Sequence, residues 1–309
     1  MKNHKITFSQ ALEGYKLYFN SRHLSPLTYR DYTNTYRKFA KFLGNDPPIE
    51  DINLKQVEAF LAVQEVSNKT ILNYHTGLSA LWTWALKDGL VKEQILHKVT
   101  RPKPEKREVK PYSEVDIRAM LGALDKSKSY TRPGKRESEH SLTTAIRNRA
   151  IILLLLDTGI RSSELCDLRI HHADLSNRHI LVMGKGSKER MLPFCSRTGR
   201  ALWRYLAARQ DDTAEEFLFL TDNETPFVRD HLRKTLWRIG QRAGISGAGV
   251  HRFRHTFAIN FLRNGGDPYS LQRLLGHSTM EMVLRYLSIA QADLDKNHKL
   301  ASPVDNWRL

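Results

Sequence analysis

Residues 100–111 read TRPKPEKREVKP, with three prolines and five lysines or arginines in twelve positions. Proline removes a backbone donor and clashes inside a helix, and a central strand does not tolerate it either. No compact element spans this stretch, so the 309-residue chain divides here. Residues 1–100 are expected to form one domain, 101–111 a linker, and 112–309 a second domain. At about 100–200 residues per domain, two domains suit the length. The linker's charge fits passage close to a polyanion, and a plain solvated linker explains it equally well.

The chain carries 49 Lys/Arg against 33 Asp/Glu, a net charge of +16. Residues 1–103 hold 15 against 9, or +6, which leaves +10 for the rest. A basic tail would concentrate the excess at one end. A basic surface on both domains suits a partner with many phosphates, the alternative being a basic protein with no such partner. Cys166 and Cys195 have no metal-ligand spacing, and one possible pair is no disulfide framework. The start, MKNHKITFSQ, lacks the apolar core of a signal peptide. The longest apolar run, Ile151 to Leu156, is far short of the roughly 18 residues a membrane span needs. A cytoplasmic, nucleoid-associated protein with no membrane contact is expected.

Periodicity makes the first domain helical. Phe8, Leu12, Tyr15, Leu17, Tyr18 and Phe19 mark a first helix. Ser25-Pro26 opens a second, carrying Tyr29, Tyr32, Tyr36, Phe39, Phe42 and Leu43 to Gly44. A third runs around Leu54 to Val63, and a fourth from about Asn68 to Lys87, ended by Asp88-Gly89. The aromatic stripes read as packing between these helices. In the second part, Ser113 and Asp116 form a helix start. Lys126 to His140 is a polar, basic loop, either a contact to a partner or a neutral insertion. Arg149 to Asp157 is a buried helix. Ile180 to Met183 and Met191 to Phe194 are strands joined by a basic turn with two glycines. The remainder is mainly helical.

Four segments carry chemistry. TGIRSSEL places Arg161 after a helix end, with Glu164 three residues on. The hairpin turn presents Lys185. HRFRH puts His251 and Arg254 at i, i+3. LLGHS precedes Met280, Val283, Leu284 and Leu287 at helical spacing, with Tyr286 among them, and Ser278 with Glu281 has the form of a capping box that starts a helix just after His277. Singly, each has an ordinary explanation. An Arg pairs with a neighbouring carboxylate, a Lys is solvated, a His is a satisfied structural residue, and a Tyr is half-buried on a helix.

Taken together, the segments resemble the tyrosine recombinase (integrase) family, most closely the bacterial Xer-type enzymes. The resemblance is densest over HRFRHTFAINFLRNGGDPYSLQRLLGHSTMEMVLRYLSI, includes TGIRSSEL and MGKGSKERMLPF in the family's order, and spans nearly the whole chain. It implies a mainly α fold: a helical, SAM-like core-binding domain, then a mixed, mostly helical catalytic domain with a small antiparallel sheet. Position by position, it implies Tyr286 as the nucleophile and Arg161 and Arg254 as the arginines that hold the scissile phosphate. Lys185 matches the hairpin lysine that protonates the leaving group, and His251 and His277 match the family's two histidines, with Glu164 in support. It also implies duplex DNA with inverted half-sites as substrate, a homo-tetramer or related hetero-tetramer as the assembly, and no cofactor or metal.

The residue types suit such a reaction. A phosphodiester under attack gains negative charge on its non-bridging oxygens, which two guanidinium forks meet bidentately. A phenol of pKa about 10 is a weak nucleophile at neutral pH. The two arginines are expected to favour its anion, with His251 to accept its proton. Neither a phosphate-binding glycine loop nor a carboxylate cluster for Mg²⁺ is evident. The first helix starts by about residue 7, leaving no room before it for the arm-binding domain of many phage integrases. After Tyr286, Leu294, Leu300, Val304, Trp307 and Leu309 are expected to anchor on an adjacent protomer or to fold back in cis. Two other functions fit the charge and fold: a type IB topoisomerase-like nicking-closing enzyme, and a catalytically silent DNA-binding regulator.

Overall fold

The computed structural model describes residues 5–22, 25–103, 105, 110–125, 142–184, 189–209 and 216–307. The expected basic loop 126–140, Lys185 and Leu309 lie outside the described residues. The chain separates into two compact units, Met1–Arg107 and Glu108–Leu309. Among the described residues no helix is long and apolar enough to cross a membrane.

The first unit is helical. Its helices are α1 (Phe8–Ser21), α2 (Pro26–Leu43), α3 (Leu54–Ala62) and α4 (Asn68–Lys87). Thr7 and Gln10 close a reciprocal cap on α1, Asn53 and Gln56 do the same on α3, and Ser67 caps α4. Each satisfies amides that a helix start leaves bare. Phe8, Ala11, Tyr15 and Phe19 form the buried face of α1, whereas Leu17, expected on that stripe, is 72% exposed. The 100° step per residue puts position 17 on the far side from 15 and 19. Tyr15, Tyr36, Phe39, Phe60 and Trp82 interlock edge-on across the helices.

The second unit contains α5 (Glu114–Asp125), α6 (Leu142–Thr158), α7 (Ser162–Cys166), the strands β1 (Ala173–Asp174), β2 (His179–Met183) and β3 (Glu189–Pro193), then α8 (Ser196–Ala207), α9 (Arg229–Arg242), α10 (Val250–Arg263), α11 (Pro268–Leu275), α12 (Glu281–Ala301) and α13 (Pro303–Asn306). Ser113 and Asp116 cap each other's ends of the first turn of α5, as expected. Helix α6 starts seven residues before the expected Arg149 and packs against α5, α8 and α10. Its Ile151, Ile152, Leu154 and Leu155 are fully buried, at roughly 1.5–3 kcal/mol each. The sheet is antiparallel in the order β1-β2-β3, so a short third strand joins the expected hairpin. Ile180, Val182 and Leu192 point into the core, and Arg190, paired opposite Val182, shares that inward face.

Lys110 and Pro111 belong to this unit. Arg252 donates to both their carbonyls and lies 4.1 Å above the Tyr112 ring. Tyr112 in turn bonds Thr256 and Gly249.

Two expectations at the end of the chain change. Helix α12 begins at Glu281 with no side-chain cap, so Ser278 does not start it. Residues 277–280 are non-helical instead, and His277 accepts from Arg254 at 2.9 Å. Val283, Tyr286 and Ala290 face α10, while Leu284 is 55% exposed. Beyond them α12 continues to Ala301, and Val304 and Trp307 are exposed.

Candidate active site

Four elements of the second unit converge on the C-terminal end of α11. A helix end leaves its last carbonyls unpaired and carries partial negative charge. Here each of three successive carbonyls accepts from a different arginine. Arg190 Nε donates to Leu274 at 2.8 Å, Arg254 to Leu275 at 2.6 Å, and Arg161 to Gly276 at 2.8 Å. Gly276 adopts φ +61°, and a Cβ there would stand 3.2 Å from the Arg190 guanidinium. Gly159, at φ +60° after α6, offers its carbonyl to Arg254 at 2.8 Å. A Cβ on Gly159 would come within 2.5 Å of Phe257, so only glycine fits.

Glu164 is the counter-charge. One turn into α7 its carboxylate reaches back to the Arg161 amide at 2.9 Å and takes Arg161's guanidinium at 2.7 Å. Arg190 adds a two-pronged pair at 2.8 Å to both oxygens. Burial pushes the carboxyl's pKa up, but the bonds from Arg190 and Arg161 outweigh burial and hold it at about 2. Three guanidiniums around one carboxylate leave a net positive pocket. Arg254 is 6% exposed, and burial, with Arg161 close by, pulls it down to about 10, still charged at neutral pH.

His277 sits against this cluster, its Nε2 2.9 Å from the Arg254 guanidinium. Burial and then Arg254, Arg161 and Arg190 hold its pKa at about 4, so it is neutral. A guanidinium only donates, so Nε2 accepts and the proton sits on Nδ1. That Nδ1 is buried and has no hydrogen-bond partner among the described residues.

Tyr286 lies under His277, ring stacked on ring at 6.5 Å, and is 3% exposed. Its hydroxyl is 2.7 Å from His255 Nδ1. The arginines were expected to favour the phenolate. Burial instead raises the phenol above its ordinary 10, although Arg254 and Arg285 pull the other way. His251, the expected proton acceptor, is exposed one turn earlier on α10.

A cleft of about 1370 Å³ opens beside the cluster, lined by Arg161, Arg190, Arg273 and His277. Gly184 and Glu189, which flank residues 185–188 in sequence, also line it. The structure therefore gathers Arg161, Glu164, Arg254, His277 and Tyr286, leaves His251 exposed, and adds two residues given no role from sequence, Arg190 and His255. Both were open to a longer reading. Arg190 is a charge on the inward face of a strand that also buries Leu192, and the apolar stripe Leu262, Ile259, Ala258, run one turn back, reaches His255.

A buried phenol beside a cluster of anchored guanidiniums is an arrangement able to set an oxygen nucleophile next to a held anion. The chain belongs to the phage integrase family, the tyrosine-type site-specific recombinases. The family model described as "Phage integrase family" matches residues 136–293, and that described as "Phage integrase SAM-like domain" matches residues 10–101. A tyrosine recombinase XerC of Bacillus pumilus is 31% identical over 296 residues, covering 91% of this chain and 92% of that protein. A tyrosine recombinase XerC of Corynebacterium efficiens is 29% identical over 90% of this chain and 86% of that one. Among solved structures, a Tn1549 transposon integrase in complex with a circular intermediate DNA matches with a TM-score of 0.70, at 20% identity, over 93% of this chain and 99% of that one. A lambda integrase dimer bound to a core site matches with a TM-score of 0.71, at 18% identity, over 91% and 77%.

Proposed function

We propose that this chain is a site-specific DNA recombinase that cuts and rejoins duplex DNA through a covalent 3′-phosphotyrosyl link to Tyr286. The observation that carries this reading is the buried Tyr286 ring stacked on His277, which accepts from Arg254 at the arginine-clamped end of α11. Arg161 and Arg254 hold the non-bridging oxygens of the scissile phosphate, and His277 donates to one of them. The Tyr286 oxygen attacks phosphorus, the 5′-oxygen leaves, and Lys185 protonates it. His251 stands exposed on α10, one turn before His255. The phosphodiester energy stays in the tyrosyl link, so a 5′-hydroxyl from a second duplex reverses the attack and exchanges strands without a nucleotide cofactor. A tetramer on two duplexes, one protomer per inverted half-site, provides the four cuts a full exchange needs.

The first unit serves as the second grip on DNA. On α2, Arg30, Thr33, Asn34 and Arg37 share one face around a hollow of about 570 Å³. Such spacing suits phosphate and groove-edge contacts. The charge of +6 over residues 1–103 agrees with that role.

The test uses supercoiled plasmid carrying DNA from either side of the gene, incubated in EDTA with wild type or Tyr286→Phe and stopped with SDS. DNA-linked protein with wild type alone supports the reading. Binding without adduct, on nicked substrates as well, points to a silent DNA-binding regulator. Relaxation of any plasmid by a monomer points to a topoisomerase.

A further inference from the structure

We propose that His255 is the group that takes the Tyr286 hydroxyl proton as the phenol attacks the phosphate. The proposal rests on the reading of Tyr286 as nucleophile and assigns its proton, for which the sequence had pointed to the exposed His251.

The geometry is direct. His255 Nδ1 lies 2.7 Å from the Tyr286 oxygen, with the rings 5.5 Å apart and tilted by 53°. It lies one turn beyond His251 on α10, on the face that packs against α12. Hydrogen-bond reach comes first for any general base, and His255 already has it.

The surroundings keep that imidazole free to accept. His255 is pulled below the ordinary imidazole value, first by burial and then by His251 and Arg254 of its own helix and Arg285 of α12. His277, stacked on Tyr286 from the turn before α12, is itself neutral. Helices α6 and α11 also pack on α10 but add no charge acting on His255, and no carboxylate acts on it among the described residues. Glu164, the buried carboxylate of this site, is engaged by Arg161 and Arg190. A neutral imidazole beside a phenol held above its ordinary value means that the phenol donates and Nδ1 accepts.

In the forward step the Tyr286 oxygen–phosphorus bond forms and the bond to the 5′-oxygen breaks. The phenolic proton passes to Nδ1, leaving an imidazolium, and the 5′-oxygen takes its proton from a separate acid. On rejoining, the imidazolium returns the proton to the departing phenolate. The cations that depress His255 also favour that return, so one group serves both directions of a nearly balanced exchange.

The experiment measures the rate of SDS-stable adduct on a nicked substrate from pH 5.5 to 9. The proteins are wild type, His255→Asn, His251→Asn, and His255→Ala with and without free imidazole. The Asn amide oxygen keeps an acceptor near the Nδ1 position but cannot carry the proton away. The expected result is a fall of about 10²–10⁴-fold at pH 7 in His255→Asn. Its rate then climbs steadily with pH, where wild type levels off above the ordinary imidazole range. Imidazole restores part of the rate to His255→Ala, and His251→Asn loses rate without that change in slope. DNA affinity and melting check folding, and if His255→Asn fails them the imidazole titration decides. A His255→Asn rate and pH profile equal to wild type, no rescue by imidazole, or the altered slope in His251→Asn instead, overturns the proposal. Absence of adduct with wild type, or its presence with Tyr286→Phe, overturns the nucleophile reading instead.

Discussion

The site has two corners built on different physics. At the end of α11, Arg161, Arg190 and Arg254 each hold a backbone carbonyl, and Glu164 ties two of them together. Every donor there is charged, and such bonds are about twice as strong as neutral ones. At α12, Tyr286 is held by one neutral hydrogen bond to His255 and by apolar packing with Ala258, Ile259 and Val283. The first corner suits groups that must already be in place when charge develops on a phosphate. The second suits a group that must let go of its partner, form a covalent bond and come back. The contrast teaches that charged anchoring is concentrated at the arginine corner, while Tyr286 is held by weaker, neutral contacts.

The largest effect that tests this contrast is on stability. Glu164→Ala leaves Arg190 and Arg161 without their carboxylate and is expected to cost about 3–5 kcal/mol, read by urea unfolding at pH 7. The same carboxylate gives an acid signature. Its folded pKa of about 2 lies below the ordinary 4.5. Its contribution, on the order of 3 kcal/mol, is therefore complete above pH 4.5 and disappears as pH falls toward 2. His277, held at about 4, loses its own contribution in the window between 6.5 and 4. Glu164→Ala should remove only the lower of these two windows. An unchanged acid limb in the variant contradicts the claim that this corner is held by charge.

A middle-sized effect comes from Arg190→Lys, which keeps the charge but loses the fork and the bond to Leu274. About 1–3 kcal/mol of stability should go, and adduct formation should slow, because the turn that carries Gly276 and His277 loses one of its three anchors. A lysine variant with wild-type stability shows that two anchors suffice.

The smallest stability change is expected where the chemical loss is total. Tyr286→Phe removes one hydrogen bond and leaves His255 Nδ1 unpaired, for about 1 kcal/mol, while the DNA-linked species vanishes. If thermal melting instead shows Tyr286→Phe to be as costly as Glu164→Ala, the two corners do not differ as described.

Much of this was legible in the amino-acid order. Caps, prolines and glycines act over three or four residues, so Pro26, Ser113 with Asp116, and the span Asn68–Lys87 emerge as read. The pairing of Arg161 with Glu164 is also local, within one turn. Ser278 shows where such reading stops. The capping pattern was present, but α12 starts at Glu281 without a side-chain cap, and the preceding His277 accepts instead from Arg254, 23 positions away in sequence. Leu17 and Leu284 mark a second boundary, since near-helical spacing alone does not say which edge of a stripe reaches the core.

By itself, then, the sequence determined the helical first unit, the paired strands and the family, because these follow from periodicity, backbone chemistry and motifs. Only the tertiary structure decided who meets whom. Arg190 reaches Glu164 because the pleat of β3 turns it inward beside Leu192. His255, and not His251, meets the Tyr286 hydroxyl because one further helical turn carries it to the face of α10 that packs on α12. Both outcomes depend on which faces are buried against each other, a property of packed elements that no local spacing encodes.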